Sequence, residues 1–365
     1  MINKMIARNL THRPIRTALS VLAVAVEVTM ILMIVGISEG LLSESQRRSR
    51  GVGADIIIRP STSSAAQSLG TADIPQKLLE RLAEIFPEIK ITTGTALTTL
   101  GNLQTITGVD WERFTEMADG VHYLDGGPLK NQYDAIVDEV YARYKKVRVG
   151  DTLNLLNHDF RVVAIVESGK MSRIFIKLET MQELMGWHGR LSQLYLKLHD
   201  PTATAATITK IKALLPSYPI YAMEDLLSQA AANLRSMSAQ SINVIIGIAV
   251  TIGFLVVMLS MYTSVLERTR EIGILKSMGA SKAYITRIVM RETLAMCIVG
   301  IVFGYLFAYS AKVAIETFFP LIAVLILPSW VFWGAFIAIV SSLVGSLYPA
   351  TKAARQDPIE ALAYD

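Results

Sequence analysis

Four apolar runs of bilayer length constrain this chain more than any other feature, since about 20 apolar residues in a helix span the hydrocarbon core of a membrane. They are residues 17–38, interrupted only by Glu27, then 242–262 and 293–311, neither with a charge, and 331–349. A shorter apolar stretch, Phe318–Leu327, lies among Pro320 and Pro328. Proline does not continue a helix cleanly, so Leu321–Leu327 is expected to form a separate short turn at the membrane surface or in a re-entrant position. The first run is too long for a secretory signal and lacks a small-residue cleavage site. Apolar residues make up 52 % of the 365 and charged residues 18 %. Soluble proteins carry roughly 25 % charged residues, so this balance argues against a soluble enzyme and against a disordered chain.

Charge asymmetry orients the spans. Lys4, Arg8, Arg13 and Arg16 precede the first run with no acid among them, and Lys352 and Arg355 follow the fourth. Between the second and third runs lie Arg268, Arg270, Lys276, Lys282, Arg287 and Arg291, against Glu267, Glu271 and Glu292. The loop between the third and fourth has only Lys312 and Glu316. Short basic loops stay in the cytoplasm. The expected order is a cytoplasmic segment 1–16, spans at 17–38, 242–262, 293–311 and 331–349, a cytoplasmic loop 263–292, a short outer loop 312–330 and a cytoplasmic tail 350–365. The long segment 39–241 is expected outside. It carries 22 Lys and Arg against 23 Asp and Glu, so nothing in its charge points to nucleic acid.

That exported segment reads as a mixed domain. Residues 55–59, 89–93, 104–109, 152–156, 160–166, 174–176, 193–198 and 220–221 are short, β-branched and bounded by turn residues, as strands are. Residues 75–85, 111–118, 135–144, 178–185 and 203–215 read as helices. Asn157-His158-Asp159 fits a hairpin turn, and Ser61–Gly70 reads as a mobile polar loop. Mixed order predicts an α+β domain inserted between the first and second spans. The single cysteine, Cys297, excludes an intrachain disulfide.

Two further amphipathic elements stand out. Residues 1–16 place Ile2, Met5, Ile6 and Leu10 on one helical face and Lys4, Arg8 and Arg13 off it, the pattern of a helix lying in the headgroup plane; a disordered basic tail is the alternative. Glu224–Arg235 is strongly helix-forming, with Leu226, Leu227, Ala230 and Leu234 on one face and no Gly or Pro before the second span. The first span likewise continues through Glu39–Arg50 without proline. Long rigid helices of this kind could carry force across a membrane; ordinary helix extensions are the alternative.

The cytoplasmic loop Glu267–Glu292 holds the most information. Ile272, Ile274, Leu275 and Met278 form a helical run that ends at Gly279, a residue suited to a left-handed C-terminal cap. Ser281 can cap the helix that follows. A short amphipathic helix flanked by bases suits a groove on a partner, although a plain chain reversal would also produce it.

Here the residues resemble a family. The run E-R-x-x-E-I-G-I-L-K-S-M-G-A-S before a span resembles the coupling loop of FtsX-like, MacB-type (type VII) ABC transporter permeases. Tyr348-Pro349-Ala350, Ala353-Ala354-Arg355 and Asp357-Pro358-Ile359-Glu360-Ala361-Leu362 resemble the tail of that family. Ala7-Arg8-Asn9-Leu10 with Arg16-Thr17-Ala18-Leu19 resembles its entry helix. The stretches Val149–Leu155 and Phe160–Val166 are similar to its periplasmic core domain. Where the family pattern has glycine, this chain has Asp138-Glu139. The resemblance implies an inner-membrane dimer, with a second copy or a paralogue, bound to ABC ATPase subunits that hold the ATP and magnesium. It implies that Glu271, Ile272, Gly273, Leu275, Lys276, Met278 and Gly279 contact the ATPase, and that a periplasmic adaptor or membrane fusion protein is a further partner. No G-x-x-x-x-G-K-[ST] loop occurs in the sequence and only 16 residues precede the first span, so the ATPase is expected to be a separate polypeptide and this chain to hold no cofactor.

Catalytic constellations are missing. His12, His122, His158, His188 and His199 are scattered without metal-ligand spacing, and there is no G-x-S-x-G elbow. Cys297 sits within a span, where a buried thiol is the plain expectation. Glu27 is the one acid in a span; packing or a dimer interface, proton or substrate handling, and snorkelling all remain open for it. Two readings of function stand ahead of a membrane enzyme. One is a permease that exports a lipid, lipoprotein, peptide or drug-like substrate. The other is a regulator that activates an extracellular cell-wall hydrolase without transport. The size of the exported domain favours the first.

Overall fold

The computed structural model describes residues 14–61, 71–100 and 104–356, and these divide into two units. The amphipathic helix expected over 1–16 lies, but for its last residues, outside that range, as do most of the Ser61–Gly70 loop and the tail motif from Asp357.

Among the described residues four helices are long and apolar enough to cross a membrane, and the first unit holds them except for residues 42–50 of the first and 223–235 of the second, which belong to the second unit. They are α1 (Pro14–Arg50), α7 (Met223–Glu267), α9 (Lys282–Phe318) and α10 (Pro328–Arg355). A short helix, α8 (Thr269–Ser277), links α7 to α9. Backbone hydrogen bonds are satisfied within each helix, which is the condition for crossing lipid. Small residues set the packing. Ideal Cβ atoms at Gly300 and Gly304 would lie 2.7 Å and 2.8 Å from the Cβ atoms of Val24 and Val28, so α1 and α9 approach at a small-xxx-small seam. Thr29 Oγ1 donates to Gly304 O at 3.1 Å along the same seam. The stretch expected to make a short turn before the last span is non-helical, with a turn at its start. Leu325 donates its N–H to Gly36 O at 2.8 Å, and Pro328 opens α10 at a first-turn position where its missing N–H costs nothing.

The second unit, residues 42–235 with 319–321, is built on a ten-stranded mixed sheet. Its strands are β1 (Ile56–Ile58), β3 (Ile89–Leu100), β4 (Gln104–Val109), β5 (Tyr123–Gly126), β6 (Asp134–Asp138), β7 (Thr152–Leu155), β8 (His158–Val166), β9 (Ile174–Lys177), β11 (Gln193–Leu198) and β12 (Ile220–Ala222). The order is β12-β1-β11-β3-β4-β9-β6-β8-β5, with β7 paired to β8. Pairing is parallel at β4–β9 and β6–β8 and antiparallel elsewhere. A separate two-stranded ribbon joins β2 (Ile74–Pro75) to β10 (Arg190–Leu191). Helices α2 (Leu78–Ile85), α3 (Trp111–Met117), α4 (Glu139–Lys145), α5 (Leu178–Met185) and α6 (Thr204–Leu214) complete the unit.

Both faces of the central strands are covered. On one, Ile56, Ile58, Leu82, Ile106, Phe160 and Ile174 form the main core. On the other, Trp111, Phe114, Ile136 and Phe175 form a smaller aromatic cluster. Double coverage explains one correction. Residues 135–144, expected to form a helix, split into β6 and α4. All five β6 residues are buried, so the strand shows no alternation, and Asp138 ends it by accepting the Tyr141 N–H at 2.6 Å as the cap of α4. The β7–β8 turn is also tighter than expected. Leu155 pairs with His158, leaving Leu156 and Asn157 as the two turn residues, both with positive φ.

Candidate functional site

The loop between α7 and α9 is the best-defined candidate. Helix α7 ends at Glu267 and α8 restarts two residues later, with Arg268 at the junction. The guanidinium of Arg268 donates through one nitrogen to both carboxylate oxygens of Glu292 on α9, at 3.2 Å and 3.1 Å. Both side chains are largely buried, so the pair is a stronger tether than an exposed ion pair. At the other end of α8, Lys276 Nζ donates to Ala354 O at 3.1 Å and to Gln356 O, fixing α8 to the end of α10. Gln356 Nε2 donates in return to Thr269 Oγ1 at 3.3 Å. Ile272 packs among Val265, Ile285, Val289 and Ala353 in one apolar cluster.

Closure of α8 follows from its sequence. Ala280 N–H bonds Leu275 O and Gly279 N–H bonds Lys276 O, each at 3.0 Å, the paired bonds of a Schellman motif. Gly279 has φ +92°, in the region that favours glycine. Ser281 Oγ then accepts the Tyr284 N–H at 3.3 Å and caps α9.

The seven residues named by the family pattern therefore fall into two sets. Ile272 and Gly273 are buried, Lys276 is turned onto the carbonyls of α10, and Leu275 is half-buried in a small cleft that Glu271 also lines. Glu271, Met278 and Gly279 are exposed, Met278 at 71 %. Ile274, outside that set, is exposed at 43 % between them. Its position, two residues after buried Ile272 on a helix, is the signal that could have placed it on the outer face.

Glu27 forms a second constellation within the helical unit. Its carboxylate accepts from Ser341 Oγ on α10 at 3.0 Å and 3.3 Å, and the residue is 2 % exposed. An ideal Cβ at Gly253 on α7 would lie 2.1 Å from Glu27 Oε2, so only glycine leaves room for the carboxylate there. Helices α1, α7 and α10 thus meet at one polar point. Cys297 is buried nearby on α9, with its Sγ 3.5 Å from Ala338 O.

Comparison with known proteins bears on the chain's family. A family model described as MacB-like periplasmic core domain matches residues 17–214, and one described as FtsX-like permease C-terminal matches residues 243–358. The macrolide export ATP-binding/permease protein MacB of Escherichia coli is 24 % identical over 387 aligned positions, covering 97 % of this chain and 59 % of that protein. The ABC transporter permease YknZ of Bacillus subtilis is 31 % identical over 154 positions, covering 41 % of this chain and 37 % of that protein. The periplasmic region of MacB from Actinobacillus actinomycetemcomitans superposes with a TM-score of 0.39 at 17 % identity, covering 50 % of this chain and 95 % of that structure. This chain therefore spans 59 % of the length of the MacB relative it matches. The first family match covers more than half of the chain and the second covers the helices after it: the chain belongs to the FtsX-like ABC transporter permeases that carry a MacB-like periplasmic core domain.

Proposed function

We propose that this membrane protein is the permease subunit of an ABC transporter and converts ATP hydrolysis by a separate ATPase subunit into movement of its exported domain. The ATPase, which holds the ATP and magnesium, docks on the outer face of α8 through Glu271, Ile274, Met278 and the Gly279 turn. Ile272, Gly273, Leu275 and Lys276 support that face from behind. The chain sits in the bacterial inner membrane with both termini and α8 in the cytoplasm and the sheet unit in the periplasm. It pairs with a second permease, a copy or a paralogue, and moves a lipid, lipoprotein, peptide or drug-like molecule, with a periplasmic adaptor as a further partner. One observation carries the reading: α8 has an exposed face on one side and tethers to two different helices on the other, Arg268–Glu292 to α9 and Lys276 to α10. A load on the exposed face is then delivered to both helices at once. The lengths of α1 and α7, 37 and 45 residues, exceed the roughly 20 a span requires and suit them to act as levers.

Purification of the tagged chain from its native host in mild detergent tests the proposal. The expected result is co-purification of an ATP-hydrolysing subunit, with hydrolysis that substrate or reconstitution stimulates. Glu271→Arg and Gly279→Pro are expected to abolish that stimulation while the chain still inserts. Full stimulation in both variants would remove α8 from the coupling path, and a complex without any ATPase would sink the partner assignment.

A further inference from the structure

The sheet unit contains a cavity of about 480 Å³ that the coupling function does not use. This volume lies within the roughly 300–1,000 Å³ of small-molecule sites. Its lining comes from the last turns of α1, from β1, β11 and β12 with Leu97 of β3 and Thr105 of β4, from Met171, and from the first turns of α7. The lining mixes two chemistries: Arg59, Tyr195 and Gln193 are polar, while Val52, Met171, Leu226 and Leu227 are apolar.

Arg59 is the anomaly. Its backbone extends β1 by donating to Pro219 O at 3.0 Å, which fixes the root of the side chain. The Nε atom is buried yet has no hydrogen-bond partner, and no ion pair among the described residues includes Arg59. Buried polar atoms are as a rule partnered, and a guanidinium is a planar fork shaped for carboxylate or phosphate. Beside it, the Tyr195 hydroxyl donates to Gln193 and lies 3.6 Å from Met171 Sδ. Burial pushes the Tyr195 phenol up, so it stays a neutral hydrogen-bonding group at physiological pH. Arg48 supplies a second cation to the lining, turned toward Glu44 at 3.8 Å. Leucine and methionine in the same lining, Leu226, Leu227, Met171 and Met223, offer an adaptable apolar surface.

We propose that this cavity is a binding site for an anionic amphiphile, a molecule with one phosphate or carboxylate head and an apolar tail, seated with its head on Arg59 and its tail against Leu226 and Leu227. The site is separate from α8 and does not depend on the coupling assignment. Head and tail are both required. A free anion leaves the apolar wall wet, and an uncharged or cationic amphiphile leaves the guanidinium unpaired.

The test uses the full chain in phosphatidylcholine nanodiscs, titrated calorimetrically with octyl phosphate and octanoate after subtraction of empty nanodiscs. Inorganic phosphate and octyltrimethylammonium are the comparison ligands. Saturable binding of one anionic amphiphile per chain is expected, at least tenfold weaker in Arg59→Gln and partly restored in Arg59→Lys. Ala230→Trp, on an exposed helix position that lines the cavity, is expected to block binding without touching the charge. This variant keeps the test valid even if Arg59→Gln does not fold. The proposal is overturned by the absence of saturable binding, by affinity within twofold of wild type in the filling variant, or by equal binding of the cationic probe. Displacement of octyl phosphate by equimolar inorganic phosphate would mark a free-anion site and overturn it as well.

Discussion

The two units differ in where they put their largest apolar side chains. In the sheet unit the large side chains are inside: Phe114, Phe160, Phe175, Ile56 and Ile106 are fully buried. In the helical unit Val28, Ile31, Leu32 and Ile285 are buried too, but small and polar residues fill much of the interior beside them. Helix α10 buries Gly334, Ala338, Ser341, Ser342, Gly345, Ser346 and Ala350 while exposing Phe332, Trp333, Phe336, Val344 and Leu347. Lipid is as apolar as leucine, so no hydrophobic force drives helices together in a bilayer; close approach of small residues and hydrogen bonds between helices do that instead. The sheet unit folds against water and encloses its apolar mass for the usual reason. The contrast shows that a single figure of 52 % apolar residues describes two different solvents.

The largest expected effect breaks that comparison where it is sharpest. Phe160→Ala, at a fully buried position, is expected to destabilise the sheet unit by about 3–5 kcal/mol. Phe336→Ala, at an exposed position of α10, is expected to change the stability of the bilayer-embedded chain by less than about 0.5 kcal/mol. Hydrogen exchange on the full chain in nanodiscs reads both. Comparable losses at the two sites would mean that α10 does not face lipid.

Next in size is the polar point inside the bundle. Gly253→Leu forces a side chain into the Glu27 carboxylate and is expected to cost about 1–3 kcal/mol. Glu27→Ala, which vacates that space, is expected to recover part of the loss in the double variant. Strict additivity of the two changes would show that Glu27 and Gly253 do not share the site.

Smaller again is the cap. Ser281→Ala removes the acceptor for Tyr284 N–H and is expected to weaken the first turn of α9 by about 1 kcal/mol. Faster amide exchange confined to residues 283–286 is the signature; unchanged exchange there would mean the cap does not hold the turn.

A pH-dependent effect contrasts a second buried acid with Glu27. Asp138, in the sheet unit, has a true counter-charge in Arg173 at 3.3 Å. Burial nevertheless pushes its carboxyl up to about 6, against the opposing pull of Arg173 and the Tyr141 N–H. A carboxyl whose folded value lies above its unfolded value near 3.8 binds its proton more tightly when folded. Its contribution is therefore greatest in acid and falls as pH rises from about 4 to about 6. Asp138→Asn retains an acceptor for the cap and is expected to flatten the unfolding free energy of the sheet unit across that window. An unchanged slope would assign the dependence to other groups.

The four membrane helices were legible because length and absence of charge are properties of a single run of sequence. The local structure of the 263–292 loop was legible for a related reason: Gly279 and Ser281 each do their work within a few residues of their own positions, in a Schellman turn and an N-cap. Strands β2 and β10 have only two residues each, too few for any period. Strand β6 was hidden because both its faces are covered and its end runs directly into α4 at Asp138. Partners of Glu27 were invisible for another reason, since Ser341 is 314 positions away. Likewise nothing about Arg59 as a string of neighbours foretells that it opens into a cavity built with β11 and α7.

The central claim is that α8 presents its outer face to an ATP-hydrolysing subunit. The most direct measurement places single cysteines at Ile274 and Met278, both exposed, in a chain whose one native cysteine, Cys297, is buried. Thiol cross-linking in native membranes, with cysteines at the buried Ile272 and at the sheet-unit position Tyr221 as comparisons, reads which surface meets the partner. Cross-links from positions 274 and 278 to one nucleotide-binding polypeptide, and none from 272 or 221, are predicted. Cross-links to that polypeptide from 221 alone, or from none of these positions, would contradict the account.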